Sequence, residues 1–493
     1  MFTVVLILFI IVTCIIAWRR KSLENDEPPI LSGNLPLIGH LHKFVLDTSR
    51  VVLWNYTKEL MQECTQVGGV VRIVIGPATF YCITDPDDFY TVANTCLQKN
   101  FMYQFARPWL GDGLVTSDSS LWIAHRKLLN PAFSQTVLDG FMDVFNIQAR
   151  RLVKDLEREV GKGPFDHYVY LRKNALEITF STVFGVDLSD DKVLSDKYSH
   201  ATEEIFEVIG ERIQKFWLFS DFLFRYSSLK KKQDRNLKIL HNMSNTVLKK
   251  RKEKYLKNGS KAVEEKIGGA KCKPFMDLLL ELAIEKGAFT DQEIREHVDT
   301  MLFGSHDTTA TALLFTMLLV ASHPEVQEKI FEELHSVFGD EDRDVRKLDL
   351  SQLTYLDAVV KESIRMYPIA PVSGRELDQD VKLRNCTLRK GRSVFMLMYG
   401  AHRHPMWGPD AEQFKPERWL DPTSLPKNTA FVGFSIGKRI CIGKTYAFMS
   451  MKTTLAHVYR HYRTSGDYSQ MVLRIDVVLK AMSGHHITID RRK

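Results

Sequence analysis

The stretch FSIGKRICIG, Phe434 to Gly443, holds one thiol, Cys441, with glycines at Gly437 and Gly443 and a guanidinium at Arg439. A cysteine so placed could pack in a core, pair in a disulfide, attack a substrate or bind a metal. The seven cysteines of the chain, Cys14, Cys64, Cys82, Cys96, Cys272, Cys386 and Cys441, are scattered, odd in number and never in a CxxC pair. That argues against a disulfide framework or zinc site and for a reducing compartment. The GKT at Gly443–Thr445 has the look of a phosphate-binding loop. However, five residues separate Gly437 from Gly443, where that loop needs four, and no apolar strand leads in.

The flanking residues favour a ligand thiol over a packing one. Lys444 onward, KTYAFMSMKTTLAHVYRHY, reads as a helix. Cys441 would then sit just before a helix N-terminus, whose free N–H groups and dipole favour a thiolate. Glycines let the backbone bend closely round the sulfur, and Arg439 offers a planar fork suited to a carboxylate. Haem iron needs an axial ligand and its propionates need cations, so this pairing suits haem.

The spacing of Phe434, Gly437, Arg439, Cys441 and Gly443, F-x-x-G-x-R-x-C-x-G, resembles the haem-binding signature of the cytochrome P450 family. Five fixed positions arise by chance in a chain this long on the order of once in ten thousand or less. Other segments follow in the family's order. KESIR supplies Glu362 and Arg365, and FKPERW supplies Arg418; the resemblance implies a buried, structural Glu–Arg–Arg cluster. WIAHR gives Trp122 and Arg126, and SGREL gives Arg375; the implied task is binding haem propionates, together with Arg439. GSHDTT, Gly304 to Thr309, is similar to the family's oxygen-activating stretch, and the resemblance implies Asp307 and Thr308 as the catalytic acid–alcohol pair. Ser305 stands where glycine is usual. The segments GDGLVTSDSSLWIAHRKLLNPAF and HVDTMLFGSHDTTATAL look most similar to the clan containing the fatty-acid ω-hydroxylases, especially its insect members. Many vertebrate members carry a glutamate that esterifies haem where this chain has Gly304, so the expected cofactor is non-covalent haem b (iron protoporphyrin IX).

The resemblance implies the cytochrome P450 fold, with the haem between a long central helix and the cysteine-bearing loop. The elements that must position these residues agree. The chain reads as mainly α with a minor β-sheet region. The clearest helix runs from Thr290 to about Ser322, with Thr290 and Glu293 as a capping box and Pro324 beyond its end. VVRIVIGPATFYCI, Val70 to Ile83, reads as a hairpin about Gly76-Pro77, with shorter strands near Arg392–Met398 and the C-terminus. KFWLFSDFLF, Lys215 to Phe224, reads equally as a core helix or as an apolar loop dipping into a bilayer. The lysine-rich run from Lys230 to Lys257 reads as a solvated helix face.

At 493 residues and 44% hydrophobic, the chain can bury a large core. Its net charge of +7 is too mild for nucleic acid and better suited to a membrane surface. Phe2 to Trp18 is almost wholly apolar and is followed by Arg19, Arg20 and Lys21. Charge after the apolar run points to a retained signal anchor rather than a cleaved signal peptide, and leaves the rest in the cytosol. The expected organisation is a transmembrane anchor at 1–18, a basic, proline-rich linker at 19–39 and a catalytic domain at 40–493, on the endoplasmic reticulum membrane.

The implied activity is that of a membrane-bound haem-thiolate monooxygenase. It places one atom of dioxygen into an apolar substrate such as a fatty acid, another lipid-like compound or a xenobiotic. No nucleotide fingerprint and no room for a flavin domain are present. Electrons must therefore come from an NADPH–cytochrome P450 reductase, with a cytochrome b-type donor as a second candidate. Lys127, Lys438, Lys444 and Lys452 are candidates for its docking face. The rival readings are a haem-thiolate isomerase or dehydratase that uses no dioxygen, which Asp307 and Thr308 count against, and a non-catalytic haem or lipid binder.

Overall fold

The structure is a computed structural model that describes residues 26–45, 49–188, 192–258, 266–267, 269–423 and 425–492, with Phe9, Val12 and Thr13. The rest of the apolar run read as an anchor lies outside the described residues. Among the described residues, no single helix is long and apolar enough to cross a membrane. The chain forms two compact units, Met1–Met102, Ala370–Glu412 and Pro426–Ile440 in one and Tyr103–Ile369, Gln413–Leu425 and Cys441–Lys493 in the other.

The first unit is a small sheet with helices on its faces. Helix α1 (Arg50–Gln66) starts at Ser49, whose hydroxyl accepts the Val52 N–H at 3.3 Å. Helix α2 (Pro86–Thr95) starts at Asp85, whose carboxylate accepts the N–H groups of Asp87 and Asp88, both at 3.0 Å; Pro86 fits the first turn because its missing N–H would have no partner there. Strands β1 (Val70–Ile75) and β2 (Ala78–Ile83) form the expected hairpin, with Val70 opposite Ile83 and Ile75 opposite Ala78. Gly76 takes φ +56 in its two-residue loop, a left-handed position that glycine occupies without strain. With β3 (Val372–Glu376) and β4 (Ser393–Leu397), the sheet order is β1-β2-β4-β3, in which only β2 and β4 run parallel. Alternate residues serve opposite faces. Val71, Ile73 and Cys82 pack with Leu60, Met61 and Cys64 of α1, while Val70, Tyr81 and Ile83 pack with Phe89, Val92 and Ala93 of α2. The proline-punctuated stretch lies along β1: Leu31 N donates to Arg72 O at 2.9 Å, and Arg72 Nε donates to Pro28 O at 2.7 Å.

The second unit is mostly helical: α3 (Ser119–Leu129), α4 (Met142–Leu156), α5 (Tyr168–Thr179), α6 (Lys192–Gln214), α7 (Ser228–Asn258), α8 (Phe275–Lys286), α9 (Asp291–Ala321), α10 (Pro324–Phe338), α11 (Thr354–Met366) and α12 (Lys444–His461). Its antiparallel pairs include β5 (Tyr462–Gly466) with β8 (Ile487–Arg491), and β6 (Val472–Ile475) with β7 (Leu479–Ser483). Helix α9 has 31 residues, about 46 Å at the usual rise. It begins with the expected capping box: Glu293 N–H donates to Thr290 Oγ1 at 3.2 Å, and Thr290 N–H donates to Glu293 Oε2 at 2.8 Å. Helices α5, α7, α8, α10, α11 and α12 all pack against α9, so it is apolar around most of its circumference. The polar cluster at 304–309 is therefore an interruption that must find partners.

The core-helix reading of Lys215–Phe224 fails. The segment breaks into a 3-10 turn, Phe216–Phe219, and a short helix, Asp221–Arg225. Leu218 and Phe224 are buried, while Phe216, Trp217, Phe222 and Leu223 are exposed. Ser220 and Asp221 interrupt the apolar run, and among the described residues no second layer covers the exposed aromatics.

Candidate functional site

Cys441 lies in the second unit, immediately before α12. The residue is exposed, yet desolvation by surrounding protein pushes its thiol above the ordinary range. An exposed residue with a desolvated thiol sits in a recess rather than on open surface. A hydrogen bond from the Gly443 N–H and the charges of Arg126 and Lys444 pull the other way. The N–H at the helix start thus acts in the expected direction, toward the thiolate, while desolvation opposes it. A coordinated metal cation reverses the balance, since a ligating thiol is deprotonated. The two flanking glycines differ in their need. Gly437, in the first unit, has φ +74, and a Cβ there would meet Ala93 O at 2.9 Å. Gly443 has φ −86, and a Cβ there would meet only the Cys441 sulfur, at 3.9 Å. Strain demands glycine only at Gly437.

On α9, Gly304 is exposed although most of the helix is buried, and nothing lies within 4 Å of where its Cβ would stand. One turn on, the half-buried Thr308 donates its hydroxyl proton to Gly304 O. Gly304 and Thr308 therefore share one face, and that face borders open space. The Ser305 hydroxyl is turned elsewhere, 2.7 Å from Met301 O and 3.1 Å from Thr179 Oγ1, and its one proton goes to one of these two acceptors.

Asp307 is buried and does not bond Thr308. Its Oδ1 accepts the Tyr168 hydroxyl at 2.7 Å, and its Oδ2 faces Lys480 Nζ at 3.2 Å, an ion pair whose angle does not complete a hydrogen bond. Burial pushes the carboxyl up, but Lys480, His306 and Tyr168 together hold it below the usual carboxylate range. Neither Tyr168 nor Lys480 is legible as a site residue in the sequence, since no motif ties them to Asp307.

Trp122 and Arg126 lie one turn apart on α3, which Asp118 caps through the Leu121 N–H at 3.0 Å. Trp122 is buried. Arg126 is half-buried, donates from Nε to Asn130 Oδ1 at 2.8 Å, and interacts electrostatically with Cys441. In the first unit, Arg375 on β3 is fully buried, with Nη1 bonding Ser373 Oγ at 3.1 Å and Gly374 O at 3.0 Å; Arg439 is buried and Phe434 half-buried.

Glu362 on α11 gathers the residues expected around it. Arg365 donates to both carboxylate oxygens, at 2.8 and 2.9 Å. Arg418 Nε, Trp419 Nε1 and the Lys415 N–H donate at 2.9, 2.9 and 3.0 Å. Of the lysines read as a docking face, Lys127, Lys438 and Lys444 are exposed. Lys452 is not: it is buried on α12 and donates to Leu350 O at 2.6 Å.

Residues 28–481 match the family model for cytochrome P450. This chain belongs to the cytochrome P450 family. The P450 is 33% identical to cytochrome P450 4V2 of Mus musculus over 99% of this chain and 94% of the relative. It is 32% identical to probable cytochrome P450 4s3 of Drosophila melanogaster over 94% and 92%, and 28% identical to cytochrome P450 4g15 of the same species over 93% and 91%. The P450 is accordingly a haem-dependent monooxygenase of mainly α architecture. The residues present fit the haem. A recessed thiol precedes a helix start, a desolvated guanidinium stands in its electrostatic reach, and a glycine opens the flank of α9 beside a threonine hydroxyl.

Proposed function

We propose that the P450 is a membrane-bound monooxygenase that hydroxylates an apolar, lipid-like substrate, fatty acids being the first candidates. The observation that carries this reading is the combination, within one unit, of the recessed Cys441 thiol with an open face of α9 formed by Gly304 and Thr308 and backed by the buried Asp307. Haem would be held by Cys441 and Arg126 and would supply the redox chemistry that activates dioxygen for insertion into a C–H bond. The protein's own residues do the rest. Trp122 and Arg126 orient the propionates, and the Glu362–Arg365–Arg418 cluster keeps its segment rigid. Thr308 presents a hydroxyl on the open face, and Asp307 holds charge one residue away, so the pair can organise water and move a proton at the Thr308 hydroxyl. With no carboxylate at position 304, the haem is non-covalent.

The proposed setting is the endoplasmic reticulum membrane, anchored through residues 1–18 with residues 40–493 as the catalytic domain. Exposed Phe216, Trp217, Phe222 and Tyr226 form an apolar surface of the kind that inserts at a lipid interface, which favours substrates that partition into lipid. Electrons come from an NADPH-dependent flavoprotein reductase docking near the exposed Lys127, Lys438 and Lys444.

The test uses full-length protein reconstituted in vesicles with reductase, NADPH and a fatty-acid series. Substrate-dependent NADPH oxidation with a hydroxylated product is expected. Turnover without NADPH and dioxygen would move the protein to the isomerase class, and no turnover with any ligand that shifts the haem spectrum would make it a binder.

A further inference from the structure

We propose that Lys480 is a positioning residue for the monooxygenase reaction, fixing, together with Tyr168, the orientation of the Asp307 carboxylate. The inference rests on the reading of Asp307 and Thr308 as the acid–alcohol pair. The two oxygens of Asp307 are engaged from different directions, Oδ1 by Tyr168 from α5 and Oδ2 by Lys480 from β7. Both side chains of the ion pair are shielded from solvent, at 11% exposure for Lys480 and 2% for Asp307. The Lys480 Nζ also stands 5.4 Å from the centre of the Phe206 ring, within cation–π reach, which gives the ammonium a second fixed neighbour.

The two arms of this clamp are themselves joined. β7 is pinned by Leu479 N donating to Ile369 O at 2.8 Å. Just beyond β7, His485 Nε2 meets Asp166 Oδ1 at 3.1 Å, and that same oxygen accepts the Tyr168 N–H at 2.9 Å. The contacts close a ring running Lys480, Asp307, Tyr168, Asp166, His485 and back to β7. A movement of the C-terminal hairpin would therefore reach the carboxylate directly.

Electrostatics gives the ring its consequence. A carboxyl sealed in a low-dielectric interior goes neutral unless a cation offsets the desolvation. The charged and titratable groups facing Asp307 are Lys480 from β7, Tyr168 from α5 and His306 from its own helix, with Arg172 of α5 adding its charge at His306. Burial pushes His306 down to about 4, so it stays neutral near pH 7 and Lys480 is the cation nearest the carboxylate. Lys480 thereby sets whether Asp307 waits as a proton acceptor or as an acid, while Thr308, bonded to Gly304 O, keeps its own place.

The experiment compares haem-loaded, full-chain wild type with Lys480→Met, Lys480→Arg and Tyr168→Phe. The first readout is the infrared difference between H2O and D2O for resting protein without reductase. Lys480→Met is expected to gain a protonated-carboxyl band that wild type and Lys480→Arg lack and that Lys480→Met/Asp307→Asn loses. The second is product formed per NADPH oxidised, with hydrogen peroxide as the balance. Lys480→Met is expected to lower that ratio on the order of tenfold with KM little changed, and Lys480→Arg to recover most of it. A Lys480→Met ratio equal to wild type overturns the proposal. Should Lys480→Met fail to load haem, Tyr168→Phe carries the test, and an unchanged ratio there overturns it. If wild type turns over no substrate, the monooxygenase reading falls separately, and absence of the carboxyl band in Lys480→Met then overturns the role of Lys480.

Discussion

Glu362 and Arg365, three residues apart on α11, form a two-point ion pair with both side chains closed to solvent. Arg418, Trp419 and the Lys415 backbone complete the ring of donors around the same carboxylate. Such a pair gains little net stability over an apolar substitute, yet breaking it is costly because the partner is left charged and buried. Glu362→Ala strands two guanidiniums. Thermal unfolding should show a loss of about 3–5 kcal/mol, a large share of the stability of a typical domain, and haem content should show a collapse in holoprotein yield. Glu362→Gln keeps the shape and should fall between wild type and Glu362→Ala.

Gly304 stands in a helix interior with open space where its Cβ would be. Its torsions are helical, so alanine should gain up to about 1 kcal/mol of helix stability. The same methyl narrows the open face shared with Thr308. Gly304→Ala should raise the midpoint of chemical unfolding while weakening spectral binding of the bulkiest ligands. Acid extraction should release all haem from both proteins, since neither carries a carboxylate there.

His297 of α9 and His125 of α3 meet through ring nitrogens at 2.9 Å, both buried. Burial, reinforced by His125, pushes His297 down to about 3. The unfolded chain titrates that group near pH 6.5. Its contribution is therefore fully present above about pH 6.5 and is lost as pH falls toward 3, because the unfolded state takes up the proton first. Urea unfolding followed against pH should show stability falling through that window. His297→Gln, which keeps polarity but cannot titrate, should make the fall shallower by up to several kcal/mol at its acid end.

What the sequence shows and what it hides follow from distance along the chain. The cap at Thr290 and Glu293, the turn at Gly76-Pro77 and the thiol before Lys444 are local, because a few consecutive residues determine each. Glu362 and Arg365 are legible as a pair for the same reason, and Arg418 through its segment. Lys480 and Tyr168 are not, because they meet Asp307 only through the packing of β7 and α5 against α9. The aromatic segment at 215–224 is ambiguous for a related reason: apolar composition marks a surface that wants covering without saying what covers it. Lys452 misleads because a lysine on an amphipathic helix reads as surface unless its carbonyl partner, here Leu350 O, is known.

Cys441 is the exposed thiol among the described residues; Cys64, Cys82, Cys96 and Cys272 are buried and Cys386 is half-buried. In haem-free protein it should therefore be the first of these to react with iodoacetamide, as peptide mapping would show. Only the thiolate reacts, and burial pushes this thiol up. Its rate near pH 7 should accordingly lie below that of an unperturbed cysteine and should climb as pH rises past the ordinary thiol range. Haem should abolish the labelling if, as proposed, the sulfur that reacts is the one that ligates. Cys441→Ala should lose both the labelled peptide and the strongly red-shifted Soret band of the reduced carbon monoxide complex, while its far-ultraviolet dichroism stays that of wild type. Labelling that proceeds equally with haem bound, or a red-shifted band that survives in Cys441→Ala, would place the iron on another side chain.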